Sequence, residues 1–377
     1  MTAAQKPLRI ALMGSRGIPA RYGGYETLLE EISVRLKEMG YDVTVYCRAH
    51  YTRRDEKEHQ GVRLVVLPTI RSKHLDTPVH TLLTGLHALG KSIRGQRYDA
   101  ALVVNSANAL FLPLLRLART PTALHVDGIE KKRAKWGLVG RTVYALSERL
   151  ACRWPDVLVS DAAVIHDHYE ARYGAPSWLI TYGVEPRPPL ERGVLEKLGL
   201  RERQYFLYVS RFEPENNPHR VVEAYRDVGG ELPLVMVGDA PYSNELIDRM
   251  KQEADSRVLF PGAIYGDGYR ELLSHALAYV QATEVGGTHP ALVEAMGYGN
   301  CVVVNGTPEN VEAAGEGAPV FDAHQPATLA RILDKLRQDP EQARRLGEEA
   351  AQRAHERFSW DAVSQRYAQL FDYLASL

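Results

Sequence analysis

The sequence predicts two α/β domains, each a parallel sheet covered by helices on both faces. Three observations point there. Short, continuously apolar runs alternate with helical patterns along the chain, the alternation halts at a segment rich in proline, glycine and charge, and it then restarts. Runs that are apolar throughout, rather than at every second residue, belong to strands buried on both sides. A chain of 377 residues also exceeds one typical domain and suits two.

In the first half, "LRIALMG" (8–14), "DVTVYCR" (42–48), "VRLVVLP" (62–68), "AALVVNS" (100–106), "TALHVDG" (122–128) and "DVLVSD" (156–161) read as strands. "YETLLEEISVRLKEMG" and "VHTLLTGLHALGKSIRG" carry apolar residues at helical spacing between them. "YGVEPRPPLERGVLEKLGLRERQ" (182–204) reads as a linker with one short helix. The second half repeats the pattern with "YFLYVS" (205–210), "LPLVMVGD" (232–239), "RVLFPG" (257–262), "AYVQAT" (278–283), "CVVVN" (301–305) and "APVFD" (318–322). The expected domains are 1–183 and 204–355, joined by 184–203. In the tail 356–377, Val363, Tyr367, Leu370, Phe371 and Leu374 share one face of a helix that must dock. Open parallel sheets bind ligands at the carboxyl ends of their strands, so two facing sheets imply a ligand cleft.

Composition narrows the function. Net charge is −1, which gives no bulk attraction to nucleic acid or anionic lipid. Cys47, Cys152 and Cys301 are isolated, so neither a disulfide framework nor a zinc site is expected and a reducing compartment fits. The N-terminus lacks a signal-peptide core, and "ALFLPLLRLA", interrupted by Pro113 and Arg116, falls short of the ~18 apolar residues of a membrane span. A cytoplasmic chain is expected.

Several motifs are rejected on context. "GLHALGKS" (85–92) spells the phosphate-loop pattern, yet no strand precedes Gly85, and Leu82, Leu86, Leu89 and Ile93 continue one apolar helical face through it. His166 and His168 point to different faces of a helix and read as solvated rather than metal-binding. No D-x-D and no G-x-G-x-x-G occurs, so a metal-held diphosphate and a dinucleotide fingerprint both lack support, and no metal or cofactor is expected.

Four groups of residues remain. "GSRGIPARYGGYETLLEEI" (14–32) ends a strand in glycines, with Gly23 and Gly24 opening a helix whose amides and dipole favour an anion, or forming only a tight connection. "YVSRFEPENNPHRVVEAY" (208–225) puts Arg211 at a strand end, where a fixed cation suits a diphosphate or pairs with Glu213 or Glu215. Asn216 and Asn217 either line that site or cap the helix after them. "EVGGTHPALVEAMGYGNCVVVN" (284–305) sets the amides of Gly286, Gly287 and Thr288 before a helix, with Glu294 one turn in and able to accept bonds from two neighbouring hydroxyls, as on a ribose. "VNGTPENVEAAG" (304–315) offers another amide-rich helix start, and "LHVDGIEKKRAKWG" (124–137) places His125 and Asp127 at a strand end.

Taken together, "RGIPARYGGYETLLEEIS", "VDGIEKKRAKW", "SRFEPENNPH", "GAIYGDGYRELL", "VGGTHPALVEAMGYGN" and "FSWDAVSQRY" resemble the rhamnosyltransferase-like branch of the family-4 glycosyltransferases, from Arg16 to Tyr367. The resemblance implies the GT-B fold: two Rossmann-like domains facing a cleft, with a C-terminal helix crossing back to the first. It implies metal-independent, nominally retaining transfer of a sugar from a nucleoside diphosphate to a glycan or lipid-linked acceptor in cell-surface polysaccharide synthesis. By the same resemblance Glu294 holds the donor ribose, Arg211 stabilises the leaving diphosphate, Gly23 and Gly24 meet the phosphates, and His125 lies near the donor sugar.

Two departures stand out. The wider family carries two glutamates with seven residues between them, and counting back from Glu294 reaches Gly286; Glu284 is the substitute. The usual lysine after the arginine is Asn216 here. These keep two alternatives open, a sugar-nucleotide-binding protein without transfer activity and another GT-B enzyme such as an epimerase; a nicotinamide dehydrogenase is the weakest. The stretch "KKRAKWGLVGR" (131–141) reads either as a peripheral membrane or acceptor-diphosphate contact or as a solvated basic face.

Overall fold

A computed structural model describes residues 6–21, 23–72, 75–128, 138–186, 188, 193–239 and 244–377. Basic residues 131–137 thus lie outside the described residues, as do the side chains at 138, 139 and 141.

The described residues divide into two units: one up to Gly128, with Leu138–Thr181 and Trp360–Leu377, the other running from Tyr182 to Ser359. In the first, eight strands are described: β1 (Arg9–Met13), β2 (Asp42–Arg48), β3 (Glu58–His59), β4 (Val62–Leu67), β5 (Ala100–Val104), β6 (Thr122–Val126), β7 (Val157–Ser160) and β8 (Ser177–Leu179). Their order is β3-β4-β2-β1-β5-β6-β7-β8, parallel throughout except for the β3–β4 hairpin. In the second unit, β9 (Phe206–Val209), β10 (Leu234–Val237), β11 (Val258–Gly262), β12 (Ala278–Gln281), β13 (Cys301–Asn305) and β14 (Val320–Phe321) form an all-parallel sheet ordered β11-β10-β9-β12-β13-β14. β3 and β8 escaped the sequence because two or three residues leave no period to read.

Burial explains the continuous apolar runs. In β13, Cys301 and Val303 join one core cluster while Val302 and Val304 join another across the sheet. β9 divides likewise, with Phe206 and Tyr208 on one face and Leu207 on the other. Both faces are dry, so neither can carry polar residues.

The helices are α1 (Gly24–Glu38), α2 (Asp76–Ile93), α3 (Leu112–Leu117), α4 (Leu138–Ala151), α5 (Ala163–Tyr173), α6 (Val194–Lys197), α7 (Pro218–Tyr225), α8 (Asn244–Glu253), α9 (Gly266–His275), α10 (Pro290–Gly297), α11 (Pro308–Ala314), α12 (Pro326–Gln338), α13 (Pro340–Arg357) and α14 (Trp360–Ala375). All five apolar residues read from the tail are buried in α14. That helix docks on the first unit beside α1, where the Tyr41 hydroxyl donates to Asp372 at 2.8 Å.

Three elements add to the sequence reading. The short helix read within 182–204 is α6, and its stretch packs on the second unit: Leu195 and Leu200 are buried there, and the Glu271 carboxylate caps α6 by accepting from the amides of Gly193, Val194 and Leu195. The two histidines of α5 are half-buried rather than solvated, His166 bonding Ser177 at 2.9 Å and His168 lying 4.0 Å from Glu148. α2 runs through the phosphate-loop match as one helix, but its leucine face turns outward. Its buried side is His80, Thr81, Thr84, Gly85 and Ala88. Close approach explains the inversion: a Cβ on Gly85 would meet the Leu114 side chain at 2.8 Å, and Thr81 donates to the buried Asn108 at 2.7 Å.

Candidate active site

Each sheet has one place where neighbouring strands lead away in opposite directions. In the first it lies between β1 and β5, in the second between β9 and β12. Connections leave such a pair on opposite faces, so the carboxyl ends of the two strands open a crevice. The residues singled out from the sequence follow these ends: Gly23 caps and Gly24 opens α1 after β1, Arg211, Asn216 and Asn217 lie after β9, and Glu284 and Gly286 to Thr288 after β12.

In the first unit, carboxylates from α1 organise the β1–α1 loop. Glu26 accepts from the Arg16 amide and Glu30 from the Ala20 amide, both at 2.8 Å. Glu26 is buried, and burial raises its pKa. Two amides of the loop before Gly23 thus serve the protein's own carboxylates. Gly23 caps α1 with extended backbone and no side-chain bond, and Gly24 is its first residue. His125, the fourth residue of β6, is 1% exposed and sits edge-on to Tyr25, ring centroids 5.5 Å apart. Asp127 follows that strand, half-buried.

Burial pushes the His125 pKa down to about 3, and burial foremost pushes the buried His80 down to about 4. Both rings are neutral at pH 7. Below the unfolded value of about 6.5 the unfolded chain takes up protons that the folded rings refuse. Their contribution to stability is therefore complete above that pH and declines as pH falls toward 3. A His125→Asn variant is expected to lose about 2 kcal/mol less than the wild type between pH 7 and pH 5, measured by denaturant unfolding at both. Equal losses would show that His125 titrates normally.

In the second unit three loops are tied together by side-chain amides. Asn216 donates to the Arg211 carbonyl at 2.7 Å, closing its own loop. Asn217, at φ +55°, gives α7 no side-chain cap. It donates instead to the Ala282 carbonyl at 3.0 Å and the Glu284 carboxylate at 2.9 Å. Asn310 reaches from α11 to the Thr283 carbonyl at 2.9 Å, and the Glu284 amide donates to the Glu215 carbonyl at 2.9 Å. The structure thus uses both asparagines as clamps that position Arg211 and Glu284.

The Arg211 guanidinium is 42% exposed and approaches Glu213 only at 3.6 Å. Exposed pairs of this kind hold weakly, leaving the cation available to a ligand. Glu284 also meets His324 at 2.9 Å, a residue beyond β14 that local sequence did not flag. Glu294 accepts from the Tyr269 hydroxyl at 2.6 Å, so one carboxylate oxygen is already oriented. Gly287 and Thr288 are buried. A Cβ on Gly286 would stand 2.5 Å from the His289 ring, which covers the backbone where the wider family carries its second carboxylate. The amide-rich start expected at α11 is partly self-satisfied, because Thr307 accepts from the Asn310 amide at 3.4 Å.

The chain was compared with known proteins. It is 23% identical over 399 residues to alpha-maltose-1-phosphate synthase of Mycolicibacterium smegmatis, covering 97% of this chain and 99% of that protein. Among solved structures, the sucrose-phosphate synthase (tll1590) of Thermosynechococcus elongatus superposes with a TM-score of 0.83 at 20% identity, covering 98% of this chain and 99% of the other. Anabaena Alr3699/HepE in complex with UDP-glucose gives 0.78 at 16% identity, covering 98% and 100%. At such identities the structural likeness shows the fold, which is GT-B. Residues 23–182 match the glycosyl transferase 4-like domain, and residues 195–353 match glycosyl transferases group 1. With both halves matched, the chain belongs to the GT-B glycosyltransferases of the family-4 type.

Proposed function

We propose that this enzyme takes a hexosyl or deoxyhexosyl unit from a nucleoside diphosphate sugar and passes it to a glycan or lipid-linked acceptor in cell-surface polysaccharide synthesis, without a metal and with retention. The observation that carries the donor side is the clamped loop cluster of the second unit. There an exposed guanidinium, an oriented glutamate and a helix start preceded by two glycines lie on the loops after β9 and β12 and on α10. The complex of HepE with UDP-glucose adds support. Glu294 binds the ribose through its carboxylate, Arg211 meets the diphosphate, and Glu284, held by Asn217 and His324, takes the sugar hydroxyls that a second glutamate takes in the wider family. In the first unit, His125, neutral and edge-on to Tyr25, and Asp127 after it are the residues we assign to sugar contact. Charge growing on the departing diphosphate is stabilised by Arg211 and by the amides of Gly286, Gly287 and Thr288, so the reaction relies on fixed dipoles and one guanidinium cation rather than on a metal ion. The motifs of the rhamnosyltransferase-like branch favour a deoxyhexosyl donor.

A panel of UDP-, GDP- and dTDP-sugars, with and without lipid-linked acceptors, tests this by release of free nucleoside diphosphate. Acceptor-dependent release from one donor is expected. Tight binding of a donor with no release under any condition would leave a sugar-nucleotide-binding protein instead, the reading favoured by the covered backbone at Gly286.

A further inference from the structure

Two nitrogen groups from separate loops converge on one oxygen of Glu284. The Asn217 amide donates to Oε1 at 2.9 Å, and the His324 Nε2 lies 2.9 Å from the same atom. Among the described residues no hydrogen bond reaches Oε2, and the side chain keeps 30% of its surface exposed. A carboxylate has two acceptor oxygens and turns easily about its last bond. Here one oxygen is occupied, which fixes where the other points.

Both holders are themselves fixed. Asn217 is buried at φ +55°, and its amide also donates to the Ala282 carbonyl at 3.0 Å. His324 sits on the loop after β14. Its own amide donates to Asp322 at 2.9 Å, and the preceding Ala323 amide donates to the Asn305 side chain at 3.0 Å. The Glu284 amide in turn donates to the Glu215 carbonyl at 2.9 Å. The His324 side chain is 70% exposed, so its pair with Glu284 is a weak source of stability. What the arrangement supplies is orientation.

We propose that Asn217 and His324 are positioning residues that leave Glu284 one oxygen for the ligand, so that Oε2 accepts from a single hydroxyl of the donor sugar. The inference rests on the donor site assigned above and narrows it. A carboxylate with both oxygens open takes two neighbouring hydroxyls and selects for both. With Oε1 engaged, one hydroxyl is required, and the next ring position goes unread whether it carries a hydroxyl, a hydrogen or a substituent. The substrate class that follows is a sugar selected at one hydroxyl and accepted with deoxygenation or substitution beside it. A hydrogen bond to a charged acceptor sets that selection at about 10- to 100-fold.

Titration calorimetry of the full chain reads this without an acceptor. UDP-glucose, GDP-mannose and dTDP-rhamnose are compared first, then the analogues of the best binder that lack one hydroxyl each. The wild type is expected to lose about 10- to 100-fold in affinity at one position, and Glu284→Ala to bind the intact donor and that analogue alike. His324→Ala should weaken the intact donor about fivefold and leave the affinity of that analogue where it was. Asn217→Gly, which accepts the positive φ while removing the amide, should do the same. His324→Gln, whose amide nitrogen reaches the place of Nε2, should bring the intact donor back to within about twofold. A merely structural role would weaken intact and deoxy donors equally in His324→Ala and Asn217→Gly, and that result overturns the proposal. So does selection at two adjacent hydroxyls that both vanish in Glu284→Ala, or selection at none. Acceptor-dependent release of nucleoside diphosphate is a separate measurement. Its absence in a protein that passes these titrations removes the transfer reading and keeps this one, whereas failure to bind any of the three donors removes both.

Discussion

Arg211→Ala is expected to lower kcat about 10²- to 10³-fold while changing donor affinity by less than about tenfold. The guanidinium stands at the carboxyl end of β9, 42% exposed, with the Glu213 carboxylate 3.6 Å away in a weak pair. A diphosphate gains charge as the bond to the sugar breaks, so a cation there acts more on the transition state than on the bound donor. Its backbone is fixed by Asn216, which makes the position of the charge a property of the fold. Arg211→Lys should recover part of the loss, keeping charge but not the planar fork. Glu294→Ala should show the opposite split, weakening donor binding about ten- to hundredfold with a smaller change in kcat, because ribose contacts are the same before and during transfer. Single-turnover rates and donor titrations separate the two quantities. Wild-type kcat in the Arg211→Ala enzyme would place the diphosphate elsewhere.

The sequence revealed much of this because strand ends are local. A run such as "YFLYVSR" shows where β9 stops, and the residue after the stop lies at the crevice by topology alone. For that reason Arg211 and the Gly286–Thr288 loop could be placed without coordinates. What stayed hidden depends on side chains that cross between loops. "NN" before a proline looks like a helix cap, yet Asn217 sits at φ +55° and aims its amide at the neighbouring loop, 65 and 67 positions along the chain. His324 and Tyr269 meet Glu284 and Glu294 from separate elements, and no spacing rule links them.

The direction of α2 is hidden for a related reason. Helical periodicity locates an apolar face but not the direction in which it points, so the sequence assigns Leu82, Leu86 and Ile93 to one face without saying what that face meets. Gly85 and Ala88 permit a closer approach than leucine does, and the buried Thr81–Asn108 bond fixes the rotation. The outward leucines follow from that packing.

Gly238→Ala is expected to destabilise the second unit by about 4 kcal/mol, a fall in melting temperature of about 8–16 °C. Gly238 follows β10 at φ +157°, in backbone territory that side chains rarely enter, and a Cβ there would stand 1.9 Å from the Ser210 carbonyl oxygen. That atom cannot step aside cheaply, because the Ser210 amide is bonded to the Val237 carbonyl at 3.1 Å. A useful comparison is Gly40→Ala, where φ is +98° but nothing lies within 4 Å of the new methyl. It isolates the backbone term and should cost only about 1–2 kcal/mol. The effect at Gly238 extends to chemistry, since Ser210 precedes Arg211 and any shift of its carbonyl moves the guanidinium. Residual kcat well below melting should therefore fall as well, by about tenfold or more, as expected when a positioning contact slips by an ångström. A melting temperature within about 2 °C of the wild type would show that the β9 and β10 ends do not approach this closely. Arg211 would then owe its place to the Asn216 clamp alone.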